Sequence, residues 1–166
     1  MRWIWIDRFT EFESGRRASA IKNVTLAEEH LHQYSKAYPV MPPALIIEGM
    51  AQTAGILVGE ARGFAEKVIL AKIRRVRLDR PVLPGSQLRY EAQIESLDES
   101  AAATTGKVYC DGQLIGEIDI VFSHIDRNMG GLEFPEHNFV FTDEFKSLLT
   151  IYRMQQQGGT AGDTTS

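Results

Sequence analysis

The sequence predicts an α+β domain in which one long helix is wrapped by an antiparallel sheet. Three observations carry this. Residues 42–61 (PPALIIEGMAQTAGILVGEA) form a single apolar run of helix length. After Gly63 the apolar pattern changes to period two, the repeat of a half-buried strand. Asp111-Gly112 then separates two strand-like runs, a strong hairpin signal.

The elements follow in order. Residues 3–6 (WIWI) read as a short apolar strand leading into Asp7-Arg8, continued by residues 9–12 and closed by a turn at Ser14-Gly15. Residues 18–25 (ASAIKNVT) read as a second strand. Residues 26–37 are polar, rich in His and Glu, and read as irregular. Pro42 and Pro43 suit the first turn of the long helix, where a missing N–H costs nothing. Four strands are expected after it. The first is 68–78. In the second, Leu88, Tyr90, Ala92 and Ile94 alternate with Arg89, Glu91, Gln93 and Glu95. The last two, 101–110 and 114–124, flank the hairpin. The boundaries drawn are 1–125 for the domain and 126–166 for a C-terminal appendage. In the appendage Phe145, Leu148, Leu149 and Tyr152 share one face of a short helix that starts near Thr142 and Asp143, and residues 158–166 read as a disordered Gly/Thr-rich tail.

Composition narrows the function. The chain has 166 residues, enough for one domain with a real core. A net charge of -4 argues against a nucleic-acid binder, which usually carries a basic surface. A single cysteine, Cys110, excludes an intrachain disulfide and fits a reducing, cytoplasmic setting. The opening MRWIWIDR is too short in apolar residues for a signal peptide. No uncharged apolar run approaches the length of a membrane span.

The helix carries the chemistry. Ala51, Gly55 and Gly59 fall at i, i+4 and i+8, a stripe of small residues expected to let the sheet approach closely. Each glycine inside a helix costs about 1 kcal/mol relative to alanine, so close packing is the reason to keep two. Glu48 and Gln52 share another face, one turn apart. A carboxylate within an apolar helix either faces solvent, pairs with an arginine of a neighbouring strand, or serves as a catalytic acid or base with its pKa raised by an apolar wall.

Four segments then resemble one family in order and spacing: IKNVT (21–25), VMPPALIIEGMAQTAGIL (40–57), RPVLPGSQLR (80–89) and DGQLIGE (111–117), with WIDRF (5–9) fitting the opening. Across residues 3–123 the chain is similar to the 3-hydroxyacyl-[acyl-carrier-protein] dehydratases of fatty-acid synthesis. The resemblance implies a hot-dog fold, with the helix as sausage and the sheet as bun. It implies a homodimer with two active sites at the interface, or a hexamer built as a trimer of dimers. The implied reaction removes water from a 3-hydroxyacyl thioester to give a trans-2-enoyl thioester, with no metal and no organic cofactor. Its substrate would be carried by acyl-carrier protein or coenzyme A. A helix carboxylate helps the C3 hydroxyl leave and a histidine of the partner subunit takes the C2 proton. Glu48 matches the carboxylate, and Gln52 matches a glutamine that orients it.

Two positions depart from the family. Its histidine sits fourteen residues before the glutamate, and that position here is Tyr34. A phenol with a pKa near 10 is a poor base at neutral pH but can donate a proton. His32, two residues earlier, is the alternative, against a reading of it as a solvated loop residue. His30 and His32 lack further ligands nearby in sequence, so no metal site is expected. The second departure is Pro43, where the family has a glycine whose N–H polarises the thioester carbonyl. Proline has none, so Ala44 would have to supply the donor. Three functions remain open: a divergent dehydratase, a hot-dog acyl thioesterase in which Glu48 activates water, or a non-catalytic acyl-binding subunit. Lys72, Arg74, Arg75 and Arg77, with Arg80 at the strand exit, form either a patch that steers an acidic carrier protein or a solvated strand face.

Overall fold

The computed structural model describes residues 3–34, 38–125, 135, 137, 138 and 140–158, excepting the side chains of 32–34. Six antiparallel strands, β1 (Arg8–Glu13), β2 (Arg17–Asn23), β3 (Val68–Leu78), β4 (Gln87–Leu97), β5 (Ala101–Cys110) and β6 (Gln113–His124), form one sheet in the order β1-β2-β4-β5-β6-β3. The helices are α1 (Glu29–Tyr34), α2 (Pro43–Ala61) and α3 (Asp143–Gly158). β2 continues to β4 and β3 returns to the far edge, so the chain crosses the sheet through α2. This is the hot-dog arrangement: the sheet curves around α2.

Each local signal has its physical counterpart. Pro42 is the N-cap of α2 and Pro43 its first residue. The helix ends in a Schellman motif. Gly63 takes φ +62°, Phe64 N donates to Gly59 O (2.8 Å), and Gly63 N donates to Glu60 O (2.8 Å). At the β5–β6 hairpin Asp111 (φ 51°) and Gly112 (φ 81°) both take positive φ, as a two-residue type I′ turn requires. Ile46, Met50, Ala54, Leu57 and Val58 of α2 pack with Leu88, Tyr90, Val108, Ile118 and Phe122 of the sheet, all buried. Full burial of one such side chain stabilises by about 1.5–3 kcal/mol. By length and hydropathy α2 is capable of crossing a membrane, contrary to the expectation from uncharged runs, because two interspersed glutamates do not cancel its apolarity. Over half of that window is buried inside the molecule, so its apolarity serves the core.

Three further expectations are corrected. Residues 3–6 form no strand, because Trp5 N–H donates to the Gln52 side chain instead of a neighbouring strand (2.8 Å). The segment 26–37 is not wholly irregular: a Thr25 turn leads into α1, and fully buried Leu31 holds that helix down. The small-residue stripe of α2 does not serve the sheet throughout. Gly55 meets Phe122 of β6, but Gly59 meets the ring of Phe141, where an added Cβ would lie 2.3 Å from Cζ. Phe141 and Leu148 belong to the same core as α2. Leu148 and Leu149 of α3 are buried, and Phe145 and Tyr152 are half-buried, as their spacing predicts. The tail from 159 onward lies outside the described residues.

Candidate active site

Positions 48, 51, 52, 55 and 56 fall at i, i+3, i+4, i+7 and i+8, which brings them to one face of α2. On that face Glu48 Oε1 accepts hydrogen bonds from Trp3 Nε1 (3.0 Å) and Gln52 Nε2 (2.9 Å). Gln52 is buried and fully engaged. Its Nε2 also donates to Trp3 O (3.1 Å), and its Oε1 accepts from Trp5 N (2.8 Å). The amide orientation is fixed by chemistry, since the carbonyl oxygen must face the Trp5 N–H and the NH2 must face two acceptors. Both bonds to Glu48 fall on Oε1, and among the described residues Oε2 has no partner. Gln52 therefore joins the N-terminal segment to the carboxylate and orients it.

Glu48 opens onto a cavity of about 290 Å³. Trp3, Glu48, Ala51, Gln52, Gly55 and Ile56 line one side. Val68, Ile69 and Leu70 of β3 and Phe122 of β6 line another, and Val140, Phe141 and Phe145 of the appendage complete it. Glu48 and Gln52 are the polar side chains in an otherwise apolar lining, apart from the Trp3 indole N–H. That pattern, a few placed polar groups on an apolar wall, is the usual form of a small-molecule site.

The other sequence-derived candidates separate. Pro43 and Ala44 lie at the exposed start of α2, one turn before Glu48 and outside the cavity lining. There the first N–H groups of a helix have no intrahelical partner, and Pro43 contributes none. His32 and Tyr34 fall on α1, with side chains outside the described residues. His30 stands at the start of α1 with its ring edge on Trp5 (4.9 Å), and burial pulls its imidazole below the usual range. Lys72, Arg74, Arg75 and Arg77 are exposed on β3. Three of them face carboxylates: Arg74 with Glu95 (2.5 Å), Arg75 with Glu117 (2.7 Å) and Asp119 (3.4 Å), and Arg77 with Asp79 (3.4 Å). The patch therefore carries less net positive charge than the sequence suggests. Arg80 donates to Cys110 O. Among the described residues no three His, Cys, Asp or Glu side chains gather as a metal-binding group.

Sequence reasoning missed two sets of residues. Trp3 supplies a donor to Glu48 although its ring is largely exposed and Trp5 is the buried indole, and nothing in an alternating WIWI run marks which of the two reaches the carboxylate. Val140 and Phe141 line the site from the appendage beside Phe145, which the helical spacing already marks as apolar-facing. The one sequence signal for Phe141 was Gly59, which marks a close approach without naming what approaches.

An antiparallel sheet around one apolar helix, with a held carboxylate beside an apolar cavity, defines a hot-dog protein with a candidate small-molecule site. The FabA-like domain family matches residues 3–119. The 3-hydroxyacyl-[acyl-carrier-protein] dehydratase FabZ of Listeria welshimeri is 37% identical over 125 residues, 75% of this chain and 87% of that protein. The FabZ of Thermomicrobium roseum is 38% identical over 125 residues, 75% of this chain and 84% of that protein. A chain of the dehydratase heterocomplex ApeI:P from Xenorhabdus doucetiae shares the fold with a TM-score of 0.62 at 19% identity, over 73% of this chain and 82% of that one. The chain belongs to the FabA-like family and is FabZ-like.

Proposed function

We propose that the protein dehydrates 3-hydroxyacyl thioesters to trans-2-enoyl thioesters in fatty-acid or related lipid synthesis, with an altered proton-transfer partner. The observation that carries this is Glu48, held through one oxygen at the edge of an apolar cavity, in a chain 37% identical to a FabZ dehydratase. The acyl chain lies in the cavity and the C3 hydroxyl meets Glu48 Oε2. A base removes the C2 proton, the C3–O bond breaks, and Glu48 in its protonated form delivers a proton to the departing hydroxyl, which leaves as water. Gln52 and Trp3 hold Oε1, so the free oxygen is presented in one direction, as a positioned acid requires.

The base comes from the α1 segment of a second subunit, where Tyr34 occupies the position of the family histidine and His32 is the neighbouring imidazole. Support for a dimer comes from the sheet edges. Edge β1 has α3 packed against it. Edge β3 leaves Leu70, Ile73 and Val76 exposed along eleven residues. Such an edge invites pairing with another strand. The carrier approaches along the Lys72, Arg74, Arg75 and Arg77 surface. Exposed ion pairs are weak and exchange readily, so the carboxylates now facing these cations do not block a carrier's own. Provided that it sediments as wild type, Arg74→Glu with Arg75→Glu should lower turnover of carrier-linked substrate by about tenfold while sparing a small thioester, as loss of steering does. Equal losses on both substrates would remove the carrier surface from the account.

A panel of 3-hydroxyacyl and trans-2-enoyl thioesters, followed for water exchange and for thiol release in parallel, tests the reaction itself. Water exchange without thiol release is the expected result. Thiol release alone would assign a thioesterase. Acyl binding without any turnover would assign the non-catalytic role that Tyr34 and Pro43 also fit.

A further inference from the structure

We infer that the C-terminal segment, which lies beyond the residues matched by the family, is a built-in chain-length stop: Phe141 and Phe145 close the far end of the Glu48 cavity and set the longest acyl chain it accepts. The inference rests on the cavity being the acyl site. Glu48, Gln52, Ile56 and Gly59 follow one another along α2, and at 1.5 Å per residue Glu48 and Gly59 are about 16 Å apart along the axis. Phe141 seats its ring on Gly59, so near that a Cβ there would overlap it. Its face also meets Phe64 edge-on, with ring centroids 5.1 Å apart. Phe145, on the first turn of α3, lines the same cavity. An acyl chain that starts at Glu48 and runs along the helix toward Gly59 therefore meets two phenyl rings within that span.

This end wall is fastened in place. Asn138 Nδ2 donates to Phe64 O (3.0 Å) and Glu66 O (3.1 Å), while its Oδ1 accepts from Val140 N and Phe141 N (3.1 Å each). All four hydrogen-bonding positions of that amide, two donors and two acceptor lone pairs, are used to join the turn before Phe141 to the loop after α2. Arg153 Nη2 reaches Glu60 Oε1 (2.6 Å) from the other end of α3, and Leu148 and Leu149 are buried between. A segment serving only to cover apolar sheet surface would have no reason to place rings in the cavity that Glu48 faces.

The test is calorimetric binding of saturated acyl-pantetheine thioesters of graded length to the full-length protein, which needs no turnover. Wild type should gain about fourfold in affinity per added methylene, as apolar burial predicts, up to a limit, and then gain nothing. Phe145→Ala should move that limit to longer chains and Phe145→Trp to shorter ones. Opposite displacements are not produced by general loss of stability, and Phe145 is only half-buried, so both variants are expected to fold. Phe141→Leu, which retains most of the packing on Gly59, should lengthen the limit further. Unchanged limits in all three variants, affinity that rises without limit in wild type, or no acyl binding at all would overturn the inference. Clear limits with no water exchange would leave it standing while removing the dehydratase reading.

Discussion

At the scale of single residues the site is a carboxylate whose freedom has been removed. Trp3 and Gln52 hold Oε1, and Gln52 is itself held by Trp3 and Trp5. If the thioester carbonyl meets the start of α2, as the family resemblance implies, Pro43 is the departure with the clearest chemical consequence. Losing one preorganised oxyanion donor typically costs about 10²–10³ in rate. Pro43→Gly restores an N–H at the first residue of α2, and steady-state turnover should rise by up to about a hundredfold. A variant no faster than wild type would show that the Ala44 N–H already serves. Glu48 and Gln52 were legible in the sequence because their spacing is a local property of a helix. Trp3 was not, because its reach to Glu48 crosses forty-five residues of sequence and depends on how the N-terminal segment lies over α2.

At the scale of elements α2 is built for close approach on several sides, each by a different neighbour. Gly49 meets Tyr90 of β4, where a Cβ would lie 2.5 Å from the phenol oxygen. Tyr90 is fully buried, and burial pushes its phenol well above the usual range, so it stays a neutral, rigid wall. Gly49→Ala should destabilise by about 1–3 kcal/mol through overpacking, read as a lower midpoint in denaturant unfolding. An unchanged midpoint would mean that Tyr90 swings aside without cost. The strands after α2 were legible nearly to the residue: Ala101–Cys110 is set by period-two burial and the Asp111-Gly112 turn, while Val68–Leu78 matches its expected bounds as an exposed edge strand without that burial pattern. The elements before α2 were harder. WIWI has strand propensity, but its Trp5 N–H and Trp3 C=O serve the Gln52 clamp, and α1 is a short helix held by the burial of Leu31 in the tertiary fold.

At the scale of the whole molecule one sheet serves three tasks. Its concave face buries α2, its β1 edge is covered by α3, and its β3 edge remains open with Leu70, Ile73 and Val76 toward solvent. If two subunits join along β3, Ile73→Asp with Val76→Asp should shift the sedimenting species from dimer to monomer and abolish turnover, since the site then lacks its second subunit's α1. A double variant that stays dimeric would move the interface elsewhere. The wrapped-helix architecture could be read from periodicity because one apolar helix and four long strands admit few packings. The place of the appendage could not, since an amphipathic helix reads the same whichever apolar surface it covers.

The measurement that tests the central claim most directly is the hydration of a trans-2-enoyl thioester by wild type and by Glu48→Gln, followed by loss of enoyl absorbance, with acyl binding measured on the same samples. The account predicts hydration by wild type and a fall of about 10²–10⁴ in Glu48→Gln, the size of a lost general acid, with acyl affinity unchanged. Equal rates in the two proteins, or no hydration by wild type, would contradict it.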